Sequence, residues 1–86
     1  MERQEIIDGL AEILKTVRTI NHEKLAGINE ETDFIADLKT PSTEMINIVA
    51  KTEHKFGVEF EDDDIDGLGS KVKDVVDLIL RAKARD

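Results

Sequence analysis

Along the first twenty residues the apolar positions Ile6, Leu10, Ile13, Leu14 and Val17 recur three and four apart, the spacing that lines one face of a helix. Glu2, Glu5 and Asp8 fall in the early turns and Lys15 and Arg18 in the last, which suits the helix dipole. The pattern predicts a helix from Glu2 to Arg18. It then stops: from Thr19 to Thr40 no period is sustained, and Gly27, two Asn and scattered acids mark a long connection with one helical turn inside it. Leu25, Ile28, Phe34, Ile35 and Leu38 are apolar enough to pin that connection onto the helices, so it reads as ordered and, at this length, functional.

The period resumes with a start signal. Thr40 is expected to cap the free amides and Pro41 to occupy the first helical position, where its missing N–H is harmless. Met45, Ile48, Val49, Thr52 and Phe56 form one face, and Gly57 is the stop. A short helix is predicted from Glu61 to Leu68, ending near Gly67 and Gly69. Ser70 then reads as the cap of a last helix carrying Val72, Val75, Val76, Ile79 and Leu80. No strand pattern, low-complexity tract or internal repeat competes. The expectation is one all-α domain over residues 1–86, a four-helix bundle with a long loop between the first two helices and a short third one.

Composition narrows the function. At 86 residues, 40% hydrophobic and 37% charged, with three Phe as the only aromatics, the chain has apolar mass for one small core. Twenty acids against twelve bases give a net charge of −8. With no basic stripe to release counterions, nucleic-acid binding is not expected; contact with basic protein surfaces is, and so much charge on a small domain favours a monomer. No Cys is present, hence no thiolate nucleophile or zinc site. The charged start MERQEIIDGL does not read as a signal peptide and no run is long enough to span a membrane, which together suit the cytoplasm.

Three features invite chemistry. His22 and His54 stand without an obvious nucleophile or acid beside them and read as exposed polar residues. Asp62, Asp64, Asp66 and Gly67 match the first half of a calcium-binding loop, but the position of the closing bidentate Glu is Lys73, so no metal site is assigned. Ser42, at the start of the helix after the long loop, is by itself an ordinary helix-start serine.

The wider pattern changes the weight of Ser42. Asp37-Leu38-Lys39-Thr40-Pro41-Ser42-Thr43-Glu44-Met45 resembles the Asp-Leu-Gly-x-Asp-Ser-Leu-Asp segment of the acyl carrier protein family. Glu53-His54-Lys55-Phe56-Gly57-Val58-Glu59-Phe60 resembles that family's Glu-Glu-x-Phe-Gly-Ile-Glu-Ile, and the acidic short helix and residues 72–79 follow in order. The resemblance covers nearly the whole chain. It implies a non-catalytic carrier with a covalent 4′-phosphopantetheine arm on Ser42, holding acyl groups as thioesters for fatty-acid-like or polyketide-like biosynthesis. It also implies partners, a phosphopantetheinyl transferase and acyl-processing synthase enzymes, whose basic surfaces would dock Glu31, Asp33, Asp37, Glu44 and Glu53. Val49, Ala50, Val72 and Val75 would line a cleft for the acyl chain or simply pack the core. The departures sit beside the serine: Lys39, Pro41 and Thr43 replace the family's Gly, Asp and Leu. They keep open a module that retains the fold without the arm, and the acidic run keeps open a weak divalent-ion binder.

Overall fold

The computed structural model describes residues 1–85. Five helices follow one another: α1 (Arg3–Lys15), α2 (His22–Leu25), α3 (Ser42–Phe56), α4 (Asp62–Asp66) and α5 (Val72–Arg85). No strand occurs among the described residues; one isolated antiparallel bridge joins Asp33 to Lys71.

α1 is the central element and touches α2, α3 and α5. Its stripe Ile6, Leu10, Ile13 and Leu14 is buried as expected. The helix ends at Lys15 rather than Arg18, because the Thr16 hydroxyl donates to the Ile13 carbonyl at 2.6 Å and closes the last turn. Val17 still reaches the core from outside the helix. Where α1 meets α3, Gly9 makes the close approach possible, since a Cβ there would stand 2.6 Å from Phe56 Cζ.

The long connection is packed. Its one helical turn, α2, is capped by Asn21, whose side chain accepts from Glu23 and Lys24 amides. Phe34 and Leu38 are fully buried, and the backbone is held from both sides: Asn21 donates to Leu38, and Thr40 to Phe34. The Cα radius of gyration, 11.9 Å, matches the roughly 12 Å expected of a folded chain this long, as a packed loop requires.

Two expected caps do not act as caps. Pro41, extended at φ −63° and ψ 148°, is itself the N-cap of α3, so the helix begins at Ser42. Thr40 lies buried behind it, and its hydroxyl has no partner within the described residues. Ser70 does not cap α5 either. Its hydroxyl donates to Asp33 across the chain, while Asp74 accepts the Lys71 amide at the helix start. The stop at Gly57 is as read, a left-handed residue at φ 65° whose N–H returns to the Glu53 carbonyl. α4 is one residue shorter at its start and two at its end than the pattern predicts. Glu61 lies outside as N-cap and forms a reciprocal capping box with Asp64.

Candidate functional site

Ser42 is the first residue of α3 and is exposed. Its hydroxyl makes no hydrogen bond within the described residues, and no side chain caps the helix start. Proline at the N-cap offers no side-chain oxygen and its carbonyl takes the Glu44 and Met45 amides, so the Ser42 and Thr43 amides at the positive end of the α3 dipole stay open next to the hydroxyl. The preceding turn is unusual: Lys39 is the only described non-glycine residue with positive φ, 57°. A left-handed backbone is easiest for glycine, which is what the related motif carries there.

One turn further along α3 the surface becomes apolar. Met45, Ile46 and Val49 form one wall of a groove of about 270 Å³; Ile35 from the loop, Ile65 and Leu68 from α4 and its exit, and Gly69 and Ser70 complete it. Ile35, Ile46 and Ile65 are 53%, 73% and 41% exposed, and all three stand on this one rim. Such a cluster around a concave surface marks a ligand or interaction site. Of the four residues read as cleft or core, Val49 lines the groove, Val72 and Val75 on α5 are buried in the core, and Ala50 does neither, being exposed outside the lining. Ile35, expected to pin the loop onto the helices, stands half-exposed on the groove instead, and the residues missed, Ile46 and Ile65, carried one signal: each is a large aliphatic off the regular stripe or amid polar neighbours.

The five acids expected to dock partners fall into two groups. Glu31 binds Lys71 and Lys73 at 3.1 and 3.2 Å, and these contacts, Lys71 first, hold its carboxyl below the usual range. Asp33 Oδ1 accepts the Ile35 and Ala36 amides, both at 2.8 Å, and Oδ2 accepts the Ser70 hydroxyl at 2.9 Å. The Ala36 amide, followed by Ser70 and Ile35, keeps that carboxyl low as well. Asp37 accepts the Asp33 amide, and Glu53 accepts the Phe60 amide, both at 2.8 Å. Only Glu44, in the first turn of α3, has no side-chain partner.

His22 and His54 are both exposed and lie on different helices, with His22 Nε2 2.8 Å from the Val17 carbonyl. Asp62, Asp64 and Asp66 lie on a helix, where positions two apart point to different sides. Asp64 is taken by Arg85 at 2.8 Å and by the Glu61 amide at 3.0 Å, and no cluster of potential metal ligands forms among the described residues.

With this geometry in place the comparisons fall into line. The chain is 37% identical over 79 residues to the acyl carrier protein of Coprothermobacter proteolyticus, covering 92% of each. It is 42% identical over 79 residues to the meromycolate extension acyl carrier protein of Mycolicibacterium aurum, covering 92% of this chain and 77% of that one. The acyl carrier protein of Acidothermus cellulolyticus is 37% identical over 82 residues, with 95% and 93% covered. The solved acyl carrier protein of Enterococcus faecalis superposes with a TM-score of 0.69 over 95% of this chain and 99% of that one; at 24% identity it speaks to the fold. No family model matches. The chain belongs to the acyl carrier protein family.

Proposed function

We propose that this protein carries acyl intermediates on a phosphopantetheine arm at Ser42 in fatty-acid-like or polyketide-like biosynthesis. The observation that carries the reading is the exposed, unpartnered Ser42 hydroxyl one helical turn from an apolar groove. The residues present fit the group. The bare start of α3 turns its first amides toward the place of an attached phosphate, and the groove begins within reach of the arm. When bound, the arm supplies the thiol that holds an acyl group as a thioester.

The protein's own residues have three tasks. Ser42 provides the attachment oxygen. The first turn of α3 favours negative charge beside it. Met45, Val49, Ile65 and Leu68 offer an apolar wall that excludes water from an acyl chain. None of this asks for a base or a metal, in keeping with a family whose members are in general carriers that work with synthase enzymes.

Docking to basic surfaces of a transferase and of acyl-processing enzymes falls to the acids left without internal partners. Around the site these are Glu44 near Ser42, and Asp62, Asp63 and Asp66 on α4. Contact of this kind is brief and salt-sensitive. The net charge of −8 supports a monomer, and no helix among the described residues is long and apolar enough to cross a membrane.

Intact mass after incubation with coenzyme A and a promiscuous phosphopantetheinyl transferase tests the reading. One added arm on the wild type and none on Ser42→Ala is the expected result. An unmodified wild type with helical circular dichroism would leave a binding module in place of a carrier.

A further inference from the structure

Among the residues lining the groove, only Ser70 has a polar side chain. An unsatisfied hydroxyl there would hold water in the groove or leave a polar atom unpaired beneath a bound chain. Asp33 prevents both. It does not line the groove, yet its Oδ2 accepts the Ser70 hydroxyl at 2.9 Å while its Oδ1 accepts the Ile35 amide at 2.8 Å. Ile35 is the loop-side wall and Ser70 the α5-side wall. One carboxylate therefore joins two walls that come from different connections, the loop before α3 and the turn between α4 and α5.

Backbone hydrogen bonds join the same two segments. The Phe34 amide donates to the Ser70 carbonyl at 2.8 Å and the Val72 amide to the Thr32 carbonyl at 2.9 Å, so the two segments stay together without the carboxylate. What Asp33 adds is the position of the side chains around those pairs: Ile35 presented into the groove, and the Ser70 hydroxyl turned out of it. Asp33 is in turn aimed by Asp37, whose Oδ2 accepts its amide.

We infer that Asp33, acting through Ser70 and Ile35, is a positioning residue that sets the width of the groove and with it the length of acyl chain the groove accepts. This rests on the carrier reading above and adds the specificity of the same site. With the carboxylate in place the Ile35 turn is tied to Ser70; with that tie removed the backbone pairs keep the two segments together, but the Ile35 turn is free to swing away from Ser70 and longer chains fit.

The test compares wild type, Asp33→Ser and Ser70→Ala. Serine at position 33 retains an oxygen for the Ile35 and Ala36 amides but does not reach Ser70, and it alters no atom of the groove lining. Each protein is loaded at Ser42 with straight acyl arms of graded length, and the rise in Tm over the unacylated, arm-bearing form is recorded. A second series titrates free straight-chain alkanols of graded length into the unmodified proteins and reads the methyl signals of Ile35 and Ile65.

The expected result is a shift of the optimum toward longer chains in both variants, with the double variant shifting no further than either single one, as residues acting through one contact do. A merely structural role would lower Tm equally at every chain length and leave the optimum in place. An unchanged optimum in Asp33→Ser and Ser70→Ala overturns the inference. If Ser42 accepts no arm, the carrier reading fails, while the alkanol series still decides whether Asp33 sets the groove.

Discussion

α3 and α5 are close in length, 15 and 14 residues, and each shows a regular apolar period, but they bury it to different extents. α5 places Val72, Val75, Val76, Leu78, Ile79 and Ala82 in the core; α3 places only Ile48, Thr52 and Phe56 there. The large aliphatic residues of α3 left outside it, Met45, Ile46 and Val49, line the groove. The difference teaches that in this domain the amphipathic period identifies a helix without saying what its face is for. One helix is a keel, and the other is held to the core by half its length so that its first turns remain available around Ser42.

The sharpest way to break that comparison is to shorten one isoleucine on each helix. Ile79→Ala, from a fully buried position, is expected to cost about 2–5 kcal/mol. Ile46→Ala, from a position 73% exposed, is expected to stay within about 0.5 kcal/mol. Urea unfolding of both checks this, and equal costs would mean that α3 is packed as α5 is. Gly9→Ala tests how α3 is held. Its Cβ would press on Phe56, an overpacking of about 1–3 kcal/mol against about 1 kcal/mol of helix propensity gained. A net loss of about 1 kcal/mol is expected in the same assay.

Lys39→Gly acts in the opposite direction. It relieves left-handed strain of about 1–2 kcal/mol, offset by about 0.5–1 kcal/mol of glycine entropy. A gain of roughly 0.5 kcal/mol should appear as a raised Tm, and a loss would show that the Lys39 side chain contributes more than its backbone costs.

The smallest and most distributed effect is acid sensitivity. Glu31, Asp33 and Asp64 have lowered pKa values and bind residues on α5 or just before it; on the α3 side the corresponding carboxyl is Glu12, lowered by Lys55. A carboxyl depressed in the fold stabilises fully above its ordinary value, 3.8 for Asp and 4.5 for Glu, and loses that contribution as pH falls through the folded value. Hydrogen exchange in acid should therefore rise earlier around residues 70–73 than along α3. Uniform loosening of both helices would contradict this.

The parts of the molecule legible from sequence are those governed by local spacing. The stripe of α1, the face of α3 and the Gly57 stop each depend on residues within a few positions of one another. Thr40 and Ser70 misled because both have the side chain of a cap. Whether it caps depends on what the fold supplies: a buried wall for Thr40, and for Ser70 a carboxylate 37 residues away. The sorting of cleft from core residues depends on the fold in the same way. Val72 and Val75 look like Val49 in sequence, and only the packing of α5 against α1 sends them into the core. The motif singles out Ser42 in the sequence, but the internal partners of Glu31, Asp33, Asp37 and Glu53 leave no local trace.

The pairing of residues 30–34 with residues 70–73 ties completion of the site to the C-terminal half of the chain. Until residues 70–73 have docked, Ser42 is already present on its helix, but the loop that bears Asp33 has nothing to close on and the groove lacks one wall. The groove is the last part of the site to be completed, finished only when the C-terminal helix docks.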